Sequence, residues 1–124
     1  MKQEEIARAL AAMVRETPAV RGCALVEADS GLIWERIGAD PEFDALWEAS
    51  ADYWRMHGRL RGHFDLLGEL GAAVMYHRRG ILAIMPCMTD PEVLVVCVGE
   101  NGKVDWNRWQ QRIRELGTMI KAAA

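Results

Sequence analysis

Serine occurs only twice in this chain of 124 residues, at Ser30 and Ser50. Neither stands in the Gly-x-Ser-x-Gly setting that lifts a hydroxyl onto a strained elbow for nucleophilic attack. Ser30 belongs to Asp29-Ser30-Gly31, whose composition marks a turn between strands. His57, His63 and His77 fall on a helix, a loop and a strand end, with no two at metal-ligand spacing, so solvated or hydrogen-bonded imidazoles are the better reading. Cys23, Cys87 and Cys97 form an odd set without a Cys-x-x-Cys pair, and two of them lie inside apolar runs. A reactive thiolate needs a basic or coordinating neighbour that the local sequence does not supply, so the three read as reduced core residues. The glycines sit at turns and element ends, and no phosphate-binding loop is present. No catalytic residue, cofactor-binding residue or metal ligand is assigned. No cofactor is expected, and the chain is expected not to be an enzyme.

Charge excludes further classes. Lys+Arg 15 against Asp+Glu 18 gives a net charge of -3 and a pI near 5.6, without the general positive field on which nonspecific nucleic-acid binding depends. Arg55, Arg59, Arg61, Arg78 and Arg79, with His57 and His63 nearby, make a local basic stretch. The acidic residues Glu42, Asp44, Glu48 and Asp52 of the same helix would repel a polyanion lying along it, so no nucleic-acid partner is expected. The apolar run Val93 to Val98 is far short of the roughly 20 residues that cross a bilayer, and no membrane partner is expected. Lys2-Gln3-Glu4-Glu5 leads straight into helical periodicity without the features of a signal peptide, which makes a cytoplasmic location the expectation. At 13.9 kDa and 51% hydrophobic residues, one domain spanning residues 1–124 is expected.

Periodicity supplies the elements. Ile6, Leu10, Met13 and Val14 recur at helical spacing between Glu4 and Glu16. Strands are predicted at 22–26 and 32–37, the second with Ile33 and Ile37 on one side of the pleat and Trp34 and Arg36 on the other. Asp40 and Pro41 read as the cap and first turn of a long helix ending near Leu60 or Arg61. Strands at 69–77 and 81–85 follow, joined through Arg78-Arg79-Gly80, then a fifth at 92–98 whose successive side chains are all apolar and so demand cover on both faces. Asp105 caps the last helix, Val104 and Trp109 are placed for a hydrophobic staple, and Trp106, Trp109, Ile113, Leu116 and Ile120 form one stripe. The fold class is therefore mixed α/β, in the order α-β-β-α-β-β-β-α.

The second helix is the informative element. At about 100° per residue, Phe43, Ala45, Leu46, Trp47, Ala49, Ser50, Tyr53, Trp54, Met56, His57 and Leu60 fill more than half its circumference. One sheet face cannot cover so wide an arc, and in a chain this small a second chain is the expected remainder. Trp47 and Trp54 lie seven residues apart at one margin of the arc and are expected to face a neighbour. Leu46, Ser50 and Tyr53, nearer its middle, are expected to meet the sheet.

The element order, together with Pro18-Ala19-Val20-Arg21-Gly22-Cys23-Ala24-Leu25-Val26, the Asp29-Ser30-Gly31 turn and Gly80-Ile81-Leu82-Ala83-Ile84-Met85-Pro86, resembles the prokaryotic branch of the roadblock (dynein light-chain) family over nearly the whole chain. The resemblance implies a profilin-like, five-stranded antiparallel sheet with the second helix on one face and the first and last on the other. It implies a homodimer in which third strands pair edge to edge across a two-fold axis and second helices pack side by side. It also implies a non-catalytic platform, with a Ras-like small GTPase as partner, since several bacterial members bind such GTPases and alter hydrolysis by reshaping the GTPase's own site. Where the family often opens its last helix with an Asn-Leu-Gly-like sequence, this chain has Gly102-Lys103-Val104-Asp105-Trp106.

The residues expected at the dimer or partner interface are Trp47, Tyr53, Trp54 and His57 on the helix, and Ala73, Val74, Met75 and Tyr76 on a strand that carries no lysine or proline to protect its edge. The function read from the sequence is a non-catalytic dimeric scaffold that modulates the nucleotide cycle of a small GTPase. The alternative is a small-molecule sensor with a profilin-like or PAS-like pocket, because a mixed sheet under one long helix also makes ligand pockets.

Overall fold

The computed structural model describes residues 3–38 and 40–123; Lys2, used above in reading the N-terminus, lies outside them. The first helix, α1 (Gln3–Glu16), buries Ile6, Leu10 and Met13 along one stripe and carries Glu4 and Glu5 in its first turn, where they suit the helix dipole. Strand β1 (Val20–Glu27) then pairs antiparallel with β2 (Ile33–Ile37). The expected alternation on β2 fails at a bulge. Leu25 and Val26 are consecutive, yet they sit opposite Glu35 and Ile33, so Trp34 is the extra residue. Ile33 consequently packs on one face of the sheet while Trp34 and Ile37 pack on the other.

Helix α2 (Phe43–Leu60) begins later than Asp40 and Pro41 predict. Asp40 turns the chain ahead of the helix: its Oδ1 accepts a 2.9 Å hydrogen bond from the Glu42 N–H and its carbonyl a 3.1 Å bond from the Phe43 N–H. A local side-chain turn has taken the place of the cap. The helix passes directly into a 3-10 segment, Arg61–Leu67, where the sequence pointed only to a short connection. Gly68 reverses the chain at φ 80°, and β3 is Ala73–His77, four residues shorter at its start than 69–77. β4 (Gly80–Met88) runs past the predicted end at Met85, its register shifting between Pro86 and Met88, and β5 (Val93–Gly99) is buried throughout. Helix α3 (Trp106–Ala123) is capped as expected, Asp105 Oδ1 accepting a 3.1 Å hydrogen bond from the Arg108 N–H.

All the pairings are antiparallel and the order across the sheet is β2-β1-β5-β4-β3. One face carries α1 and α3. Leu10, Met13, Trp109 and Ile113 meet Cys23, Leu25, Met85 and Val95 there, and Val104 joins the same cluster as Trp109, as a staple requires. The other face carries α2 alone, with Trp47 and Ala51 against Ala24, Val26, Leu82, Ile84, Leu94 and Val96. α2 rests on β1 and β5, and Arg55 ties it to the β1–β2 turn by donating to the carbonyls of Ala28 and Asp29 at 2.6 and 3.2 Å while pairing with Asp52.

Candidate partner surface

The wide apolar arc of α2 divides in two. Phe43, Trp47, Ser50, Ala51 and Trp54 point to the sheet, and Trp47 is only 2% exposed, in edge contact with Phe43 at 5.8 Å between ring centroids. Ser50 is buried too, its hydroxyl donating to the Leu46 carbonyl at 2.6 Å. Trp47 is therefore intrachain core and not an anchor for a neighbour, and the half-buried Trp54 packs against the same cluster. Leu46 and Tyr53, which the arc alone places toward the sheet, are exposed, Tyr53 by 45%, so for Tyr53 its place among the expected interface residues is the one compatible with the structure. The cause is geometric. An arc shared by two contacts is not centred on either, so the sheet takes one margin and leaves the rest.

What is left is ordered. Leu46, Ala49, Tyr53, Met56 and Leu60 are all exposed, and their intervals of three, four, three and four residues are those of a helix seam built to meet another helix. This seam is the feature that assignment to the tryptophans missed, although its spacing was legible. His57 is half-buried beside it and stacks on Phe64 at 5.4 Å.

The second part of the surface is β3. Among the described residues it pairs only with β4 and lies at the end of the sheet, so its outer row of backbone donors and acceptors has no partner strand there. Val74 packs toward the α1/α3 face, Ala73 and Met75 toward the α2 face, and Tyr76 is 72% exposed. The other edge strand, β2, differs, presenting Glu35 and Arg36, the latter paired with Asp44 at 2.7 Å. Of the eight residues proposed for the interface, Ala73 and Met75 lie on the α2 side of the sheet with Tyr53 and His57, Val74 lies on the α1/α3 side, Tyr76 is exposed at the edge strand, and Trp47 and Trp54 serve the core under α2.

Beyond the turn from β3 to β4, an open cleft of about 440 Å³ is lined by Leu46, Ile81, Leu82 and Val98 on its floor and by His77, Arg78 and Arg79 on its rim. The side-chain amide of Asn101 holds that turn by donating to the carbonyls of His77 and Arg78 at 2.9 and 3.2 Å.

The remaining candidates for chemistry are placed in structural roles. Ser30 donates to Glu27 at 2.7 Å and accepts from the Leu32 N–H at 3.1 Å, which closes the β1–β2 turn. All three cysteines are free. Burial pushes the thiols of Cys23 and Cys87 up to about 12 and that of Cys97 higher still, with Cys23 directly opposite Cys97 in the sheet. Such thiols are poor nucleophiles. Among the described residues no three His, Cys, Asp or Glu side chains gather to hold a metal, and no helix is long and apolar enough to cross a membrane.

No protein-family model and no curated protein matches the sequence. Solved structures do match. A Roadblock/LC7 domain from Streptomyces avermitilis aligns over 94% of this chain and 95% of that one, with a TM-score of 0.79 at 14% identity. Myxococcus xanthus MglB aligns over 98% and 89%, with a TM-score of 0.75 at 15% identity. An MglB in a tetrameric arrangement aligns over 93% and 84%, with a TM-score of 0.73 at 20% identity. The chain has a mixed α+β fold of the roadblock type, and within that type its likeness is to prokaryotic roadblock domains, MglB among them.

Proposed function

We propose that the protein is a non-catalytic, homodimeric scaffold that acts in the cytoplasm, binds a Ras-like small GTPase and modulates its nucleotide cycle. The observation that carries the dimer is the exposed seam of α2, Leu46 to Leu60, beside the free edge of β3. A second copy related by a two-fold axis covers both at once, because a helix seam and an antiparallel strand edge are each self-complementary. The acidic residues Glu42, Asp44 and Glu48 at one end of α2 and Arg59 and Arg61 at the other favour an antiparallel meeting of the two helices. Likeness in fold to MglB, one structure of which is a tetrameric arrangement, supports assembly, and the GTPase partner is what the roadblock resemblance implies. A fold alone does not fix a function, so the partner is the part to test.

The test combines sedimentation of the pure protein with capture of partners from native cytoplasm in the presence of a non-hydrolysable GTP analogue. We expect a dimer at micromolar concentration, a captured Ras-like GTPase whose retention depends on the nucleotide, and no turnover of GTP or ATP by the protein alone, which has no phosphate-binding loop. A monomer at that concentration defeats the dimer. Retention of a small molecule in native mass spectrometry, with no GTPase captured, turns the reading to a sensor.

A further inference from the structure

The 3-10 segment after α2 exposes apolar side chains with nothing to cover them. Leu66 is 97% exposed and Leu67 79%, and no residue of the segment is buried. Two adjacent leucines held out in water by a formed segment make an apolar patch that gains by being covered. They are bracketed by Asp65 and Glu69, and neither acid has an ion-pair partner among the described residues.

The cleft at the β3–β4 turn is the complement of this segment. Its floor is apolar, and its rim carries Arg78 and Arg79, which are likewise without ion-pair partners among the described residues. The segment does not reach the cleft of its own chain. Leu46 lines that cleft, and Leu60, where α2 ends and the segment starts, lies fourteen residues on, about 21 Å along the helix.

Two-fold symmetry brings them together. Antiparallel meeting of the two α2 seams centred on Tyr53 sets Leu60 of one copy against Leu46 of the other, which lines the cleft. Antiparallel pairing of β3 with its copy sets Ala73 of one against His77 of the other, the rim. Five residues join Leu67 to Ala73, a six-residue offset that spans up to about 20 Å, enough for Leu66 and Leu67 to reach the floor from either constraint. We infer that the Asp65–Glu69 segment of each copy docks in the β3–β4 cleft of the second copy, with Leu66 and Leu67 on its apolar floor and Asp65 and Glu69 against Arg78 and Arg79. The inference rests on the homodimer proposed above and adds to it a reciprocal arm exchange.

Charge reversal with mixing tests it. One variant carries Arg78→Glu and Arg79→Glu, the other Asp65→Lys and Glu69→Lys; all four side chains are exposed, so circular dichroism should show both folded. Each variant alone should self-associate at least tenfold more weakly than the wild type in sedimentation, because the two-fold axis repeats every mismatch. An equimolar mixture should recover wild-type affinity within about threefold. In the mixed dimer each arm meets a rim of opposite sign, which holds only if docking is between copies. Leu66→Ser with Leu67→Ser should weaken the dimer at least tenfold and not be rescued by mixing with either charge variant. A wild-type dimer whose affinity none of these changes alter overturns the arm exchange and leaves the homodimer standing. Weakening without recovery in the mixture also overturns it, and a monomeric wild type overturns both readings.

Discussion

The two faces of the sheet are built from the same five strands and closed differently. On the α1/α3 face each helix has one apolar stripe and spends it on the sheet: Ile6, Leu10 and Met13 from one, Trp109, Ile113, Leu116 and Ile120 from the other. On the α2 face a single helix carries two stripes and spends only the one running from Phe43 to Trp54. Two helices close a face within the chain, whereas one helix with a surplus stripe leaves the closing to another molecule. Burial therefore sets the faces apart: the first is closed within the chain, while the second keeps an exposed apolar stripe that the proposed second copy would cover.

If that division is right, damage to the closed face should be the most costly. Trp109 is fully buried among residues of α1, β4 and β5, and Trp109→Ala is expected to lose about 3–5 kcal/mol of stability, read as a large drop in the denaturant midpoint of a dilute, monomeric sample. A drop of under 1 kcal/mol would show that this face is not where stability resides. A smaller effect, of another kind, is expected across the sheet. Tyr53→Asp together with Met56→Asp should raise the dimer dissociation constant thirtyfold or more, about 2 kcal/mol, while leaving the circular dichroism spectrum unchanged. Loss of the folded spectrum in that variant would place the seam inside the core after all.

These outcomes bear on how far the sequence could be read. The element order, the strand buried on both sides and the Asp105 cap were legible because each is written in neighbouring residues. So was the surplus on α2, since more than half a helix circumference cannot lie on one sheet. Its division was not legible. Whether the sheet takes the Trp47 margin or the Leu46 margin depends on where α2 lands across β1 and β5, a tertiary choice that helical periodicity does not encode. The reversed side chains of β2 have a comparable origin, for the bulge at Trp34 is set by pairing with Leu25 and Val26 rather than by the alternation of β2 itself. The exposure of Leu66 and Leu67 is not legible in the sequence, because a 3-10 segment has neither a strand's alternation nor a helix's stripe to mark it.

The smallest expected effect is the sharpest test of independence between the faces. Cys23, Cys87 and Cys97 all belong to the α1/α3 side, and burial raises the first two thiols from an ordinary 9.0 to about 12. A folded-state value raised above the unfolded one means that the contribution to stability is complete below pH 9 and is lost as pH climbs from there toward 12, because the unfolded chain ionises first. At pH 8 the native thiols should therefore react with iodoacetamide far more slowly than those of denatured protein, and Tyr53→Asp with Met56→Asp should leave that rate unchanged within about twofold. Trp109→Ala, by loosening the closed face, should accelerate it. A seam variant whose cysteines alkylate as fast as the denatured control would mean that opening the α2 surface unlocks the opposite face, and the two could no longer be treated as separate.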